Sequence, residues 1–268
     1  MSHSEETTTP PSRLIHVRTV SFSDVSEALA AGWKDFTRRP LMSAFFGCVF
    51  AFSGLFILIA LTYYGEAWMI IPVAIGFPLV GPFVAASLYE MSRRLQKGED
   101  FGWLDIFGVV FKRRELSWMA FVVLFVFWMW IYQVRILLAI FLGSRSMASL
   151  DRFGEVIMTT SDGWLFLAVG TCVGAILSTI LFSLTVISMP LLLDRDVDFI
   201  TAMVFSVKTV LTSPAVMLSW GALVAAMAIF AMVPAFLGLI VVLPVLGHAT
   251  WHLYERAIEI QPEDGAAG

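Results

Sequence analysis

Pro234–Arg256, PAFLGLIVVLPVLGHATWHLYER, decides how the rest of the chain is read. It is apolar for most of its length. It carries Pro234 and Pro244, then Gly247-His248 and His252, and closes on Leu253-Tyr254-Glu255-Arg256. About 20 residues of helix cross the hydrocarbon core of a bilayer. The stretch therefore reads as a membrane span, kinked at Pro244. The same Leu-Tyr-Glu close appears at Leu88-Tyr89-Glu90, after an apolar run through Pro78, Gly81 and Pro82. That echo points to a chain built from related units.

Composition agrees. The 268 residues are 59% hydrophobic and only 14% charged, where a soluble domain has about a quarter charged. The charges cluster and leave long apolar windows. Six spans are expected, at about 43–63, 68–93, 118–142, 164–192, 215–232 and 234–254. The span at 68–93 contains Pro72, Pro78 and Pro82 and should be kinked. The N-terminal MSHSEETTTPPSRLIHVRTV has no apolar core of signal-peptide type, so the first span is expected to be retained. Residues 1–20 and 259–268 are expected as disordered cytoplasmic tails around one membrane domain at 21–258. Cys48 and Cys172 lie in apolar windows and are expected as small buried hydrophobes.

Three short amphipathic stretches precede pairs of spans. They open at Asp24-Val25, Asp100-Phe101 and Asp198-Phe199. In the first, Val25, Ala28, Leu29, Trp33 and Phe36 share a helical stripe, with Glu27, Lys34, Asp35 and Arg38 off it. Asp24 is the expected N-cap, with Glu27 completing a capping box. In the second, Leu104, Phe107, Val110 and Phe111 form the stripe; in the third, Met203, Val207 and Leu211. Such helices are too charged or too short to span and should lie at the interface. Pro40 and Pro214 should each start the span that follows. The fold class is therefore all-α and polytopic, with three repeats of interfacial amphipathic helix plus two spans. All but three of the 17 Lys and Arg residues fall on one side of this arrangement. Arg145 and Arg152 fall on the other, in a polar loop, and Arg135 sits within a span. That asymmetry places both termini in the cytoplasm.

GLIVVLPVLGHATWHLYE at Gly238–Glu255 resembles the closing signature of the DUF2189 family of bacterial integral membrane proteins. Three further stretches resemble the family in order: PLVGPFVAASLYEMSRRLQKGE at Pro78–Glu99, QVRILLAIFLG at Gln133–Gly143, and DGWLFLAVG at Asp162–Gly170 followed by SMPLLLDRDVDFITAMVFSV at Ser188–Val207. The resemblance covers about residues 20–258. The chain is also similar to other three-by-two-span families, such as the membrane domains attached to glycerophosphodiester phosphodiesterases. The resemblance implies a bacterial inner-membrane protein and supplies no catalytic residue.

His248 and His252, one helical turn apart, are the metal- or haem-ligand candidates, with Glu255 a turn further on. The competing reading has both imidazoles bonding to neighbouring helices. His3 and His16 lie in the tail, so the several intramembrane ligands of an oxidase core are missing. Arg135 is a candidate intramembrane ion pair or solute contact, with Glu66 or Asp162 as partner. Asp194, Asp196 and Asp198 read as helix-start acids rather than a cation site. No GxSxG, Walker A, HExxH or dinucleotide fingerprint stands in a suitable context. The expectation is a non-enzymatic accessory or organising protein without cofactor. Its partners would be the lipid bilayer and another membrane protein or a second copy, and not nucleic acid. A channel or carrier for a small solute is the alternative, and a haem or metal protein through His248 and His252 is the third.

Overall fold

A computed structural model describes residues 14–59, 70–112, 114–141 and 150–261. The elements, in order, are β1 (Leu14–Val17), α1 (Phe22–Arg38), α2 (Pro40–Ile59), α3 (Ile70–Lys97), α4 (Trp103–Lys112) and α5 (Arg114–Phe141). They continue with α6 (Leu150–Thr159), α7 (Ser161–Thr185), α8 (Ser188–Asp194), α9 (Phe199–Thr212), α10 (Pro214–Met232), α11 (Leu239–Ala257) and β2 (Ile258–Gln261). The shorter helices α1, α4 and α9 each lead directly into a longer one, α2, α5 and α10. Pro40 and Pro214 begin α2 and α10, where their missing N–H costs no helical bond.

Four helical runs are long and apolar enough to cross a membrane: α2, α5, the α7–α8 run and α10. α11, with 19 residues, does not reach that hydropathy because of its polar content. α3 has 28 residues and opens on an uncharged apolar run, 70–87. α11 carries His248, Thr250 and His252, and α3 ends in Glu90, Arg93, Arg94 and Lys97. Both helices can hold such groups because other helices, not lipid, surround them. α11 packs against α1, α2, α3, α8 and α10.

Glycines set how closely α11 is approached. A Cβ on Gly32 of α1 would lie 2.6 Å from the Ala249 backbone nitrogen. One on Gly47 of α2 would lie 2.6 Å from the Ile240 carbonyl oxygen. Helix backbones therefore meet almost without side chains between them. Before α11 the chain turns sharply, with Ala235 and Phe236 at φ 49° and 66°. That left-handed backbone is uncommon outside glycine, and the Phe236 ring packs over Gly54.

Several expectations need correcting. The first helix is capped by Ser21, not Asp24. Asp24 is the N3 residue of a capping box, with Ser21 N–H donating to its carboxylate at 2.8 Å and Asp24 N–H donating to Ser21 Oγ at 3.2 Å. The Ser21 hydroxyl, first, and its backbone N–H hold the Asp24 carboxyl below the usual carboxylate range. The tails are ordered from Leu14 and up to Gln261, because β1 pairs antiparallel with β2, Leu14 opposite Gln261. The polar loop between the third and fourth spans contains α6. The fourth span breaks at Val186–Ile187. Pro190 cannot donate to the Val186 carbonyl and its ring crowds that carbonyl, while Ser206 Oγ accepts from the freed Ile187 N–H at 3.1 Å.

The amphipathic stripes are also reversed in part. α1 turns Val25, Ala28, Gly32 and Asp35 inward and leaves Trp33 exposed. In the second stretch Phe101 and Ile106 are buried, whereas Leu104 is 88% exposed. α9 buries Ala202, Ser206, Thr209 and Val210, whereas Leu211 is 72% exposed. Small and polar residues share the helix contacts with apolar ones such as Phe101 and Ile106, while Trp33, Leu104 and Leu211 face outward, where lipid is an adequate solvent for them. Cys48 is half-buried and Cys172 is exposed, so the buried reading fails for Cys172. The tails at 1–13 and 262–268, the turn at 64–66 and Arg145 lie outside the described residues.

Candidate functional site

The polar residues of α11 converge with those of α1, α2 and α3 at one end of the bundle. His248 is fully buried, and each ring nitrogen meets a serine. Nε2 lies 2.9 Å from Ser43 Oγ of α2, and Nδ1 lies 2.8 Å from Ser92 Oγ of α3. A neutral imidazole is satisfied by this pair, since one hydroxyl donates to the bare nitrogen and the other accepts from the ring N–H. The side chain thus ties three helices through one ring.

His252 sits one turn on. Its Nε2 lies 2.7 Å from Asp35 Oδ2 of α1, and its Nδ1 lies 3.0 Å from Gln96 Nε2 of α3. The Gln96 oxygen accepts from the Trp251 indole N–H at 3.1 Å. That fixes the amide: its NH₂ group donates to His252 Nδ1 and to Glu255. Nδ1 is then an acceptor, so the ring proton sits on Nε2 and points at Asp35. Asp35 is 3% exposed, and its other oxygen lies 3.8 Å from the Arg38 guanidinium. Every polar atom in the set has a use, as buried networks require.

A second buried acid stands beside the first. Glu90 is 1% exposed and is clasped by Arg93 through two bonds of 2.7 Å and by Arg94 Nε at 2.6 Å. Such bidentate pairing is the geometry in which a carboxylate is well held when buried. The basic run after span two is therefore an internal clamp as well as a topological signal. Tyr254 OH donates to Asp194 at 2.9 Å, and Arg195 lies 3.0 Å from the same carboxylate. Asp198 caps α9 by accepting from Thr201 N–H at 2.9 Å, and Thr201 holds its carboxyl below the usual range. Asp194 thus acts as a helix tie and Asp198 as a cap.

The metal and haem candidates look different in this setting. Among the described residues no group of three or more His, Cys, Asp and Glu side chains is arranged to hold a metal ion. A metal or haem iron at His248 or His252 would have to displace Ser43 or Ser92, or Asp35 or Gln96. Arg135 projects outward from α5 and makes no ion pair with Asp162 or any other described residue; Glu66 lies outside the described residues.

Sequence reasoning found the His pair but missed Asp35, Ser43, Ser92 and Gln96. Asp35 falls off the apolar stripe of α1 that the sequence shows. A usable signal was present: Gly32 and Asp35 share a face, and a glycine on a helix face marks close approach of another backbone.

Residues 70–194 match the family model DUF2189, described as a predicted integral membrane protein. The matched region runs from α3 through α8. It includes three of the four stretches that carry the resemblance, in whole or in part, and leaves α11 outside. Comparison with curated proteins and with solved structures found no match.

Proposed function

We propose that this integral membrane protein is a non-enzymatic accessory or organising component of the bacterial inner membrane that binds other membrane proteins or lipid. On this reading it crosses the membrane six times, in three units of interfacial helix and two spans, with both termini in the cytoplasm. The exposed α5–α7 hairpin carries the proposal. Both helices are of membrane-spanning length and hydropathy, and none of either apolar window is buried within the protein. Phe121, Phe125, Trp128, Tyr132, Ile136 and Ile140 stand exposed along α5. An apolar face of this size, rich in aromatic residues, suits lipid or an apolar protein partner. α3 and α11 support the six-span reading by length, since 28 and 19 residues of helix rise about 42 and about 28 Å. The test is purification from native membranes in mild detergent followed by mass spectrometry. A stoichiometric protein partner is expected; a clean chain with no partner counts against the organiser role.

A carrier is the second reading, favoured by Pro244 inside α11, a helix that reaches a cavity of the bundle at Thr250. Interrupted helices often line transport sites. Flux in liposomes that Arg135→Ala and His248→Ala leave unchanged would remove its support.

A further inference from the structure

A cavity of about 400 Å³ lies between α2, α3, α5, α7, α8, α10 and α11. Tyr89, Phe182, Trp220 and Thr250 are among its walls. It does not end there. Val123 and Leu181 are shared with a second hollow of about 270 Å³, which in turn shares Trp130 with a third of about 240 Å³. The three form one groove along the α5–α7 seam. From Leu167 to Thr185 on α7 it follows about 27 Å of helix rise. That approaches the ~30 Å thickness of a hydrocarbon core.

Glycines keep the groove open. A Cβ on Gly174 or Gly81 would meet nothing within 4 Å, and one on Gly170 would only touch Leu137 at 4.0 Å. Elsewhere in this bundle glycines are covered by backbone at 2.6 Å, as at Gly32 and Gly47. Among the described residues no Asp, Glu, Lys, Arg or His lines any of the three hollows. The wall is therefore built for a long, uncharged, apolar occupant.

One end of the groove has a polar requirement. Tyr89 is 6% exposed and Trp220 is 1% exposed, and among the described residues neither the phenol hydroxyl nor the indole N–H has a hydrogen-bond partner, while neither atom is sealed from accessible space. Buried Tyr and Trp usually find one. Both line the wide end of the groove. The nearby hydroxyls of Thr185 and Thr250 already donate to their own helices, at 2.8 Å to Leu181 O and 2.8 Å to Leu246 O. The site thus presents donors without acceptors. Tyr89 precedes Arg93 by one helical turn, at the end of α3 where charge begins.

From these features we infer that the groove holds the hydrocarbon chain of a bilayer lipid, with a carbonyl oxygen at the lipid's ester end accepting from Tyr89 and Trp220. A polar solute would leave the long apolar arm empty, and a simple alkane would leave both donors unmatched. The acyl ester of a phospholipid meets both conditions, its headgroup remaining outside the uncharged cleft. This deepens the lipid-binding side of the proposed function and does not require a protein partner.

The test uses the full chain, purified in detergent, washed free of loosely held lipid, and assayed by native mass spectrometry with lipid extraction. The wild type is expected to retain one phospholipid per chain. Gly174→Phe, which fills the groove, is expected to abolish retention. Tyr89→Phe combined with Trp220→Phe is expected to lower it about five- to tenfold, from loss of the donors. Thermal unfolding of each variant in excess detergent checks that the bundle is intact. Gly170→Phe provides a second block if Gly174→Phe fails to fold. Absence of bound lipid from the wild type, retention unchanged in every variant, or a retained polar solute instead would overturn the inference. A chain that holds lipid but no protein partner would keep the groove and drop the organiser role.

Discussion

α11 and the α5–α7 hairpin invert the relation between apolarity and burial that soluble proteins teach. α5 and α7 are membrane-long and strongly apolar, and none of either apolar window is buried within the molecule. α11 fails the same hydropathy test, yet Val245, Leu246 and every residue from His248 to Tyr254 are buried. In lipid, apolar side chains gain little by leaving their surroundings, so hydrophobicity does not select the core. Close backbone approach and polar bonds fix which apolar residues, Trp220 and Trp251 among them, are enclosed. The interfacial helices follow the same rule, with Gly32 and Asp35 turned in and Leu104 and Leu211 turned out.

The largest expected effect comes from crowding α11. Gly32→Leu would drive a side chain into the Ala249 and Val245 backbone and should abolish the monodisperse folded peak in size-exclusion chromatography. Gly174→Ala, on α7, should leave that peak unchanged because a Cβ there meets nothing. Equal behaviour of the two would break the contrast.

Removing the polar ties comes next. His248→Ala leaves the Ser43 and Ser92 hydroxyls unmatched and opens a cavity, and should cost about 3 kcal/mol in reversible unfolding. Asp35→Ala leaves the His252 N–H buried and unpaired and should cost about 2 kcal/mol. A double substitution should cost less than the sum if the two rings act through one shared packing arrangement.

Ser21→Ala should cost about 1 kcal/mol through loss of the cap. The same cap sets a pH signature. The Asp24 carboxyl is depressed in the folded chain, so its contribution is complete above its ordinary pKa of 3.8. It fades as pH falls through that value and below. Stability of the wild type should therefore fall more steeply in acid than that of Ser21→Ala. Last, Phe121→Leu with Phe125→Leu on the exposed face of α5 should change stability by no more than about 0.5 kcal/mol. A large loss would place a partner there.

Much of the helical layout was legible because it rests on local signals. Pro40 and Pro214 start helices for covalent reasons, and charge clusters bound the apolar windows. The interior was less legible. A 3.6-residue stripe shows which face is apolar, but in a bilayer that face serves lipid or protein equally well. Thus Trp33 was placed with the stripe of α1, and Asp35 was set aside although it meets His252. Ser43, Ser92 and Gln96 lie far from His248 and His252 in the chain, and no local pattern joins them. The break at Ile187 needed the Ser206 hydroxyl, another distant partner.

The ribbon of β1 and β2 constrains the whole path. Leu14 faces Gln261, and Arg18 N–H donates to Ala257 O at 2.9 Å. Two ends hydrogen-bonded to each other share one compartment, so the parity of membrane crossings is even. The proposed six-span reading, in which α3 and α11 cross along with the four runs, keeps that parity. A reporter fused to either end would read the same compartment, and opposite readings would refute the ribbon itself.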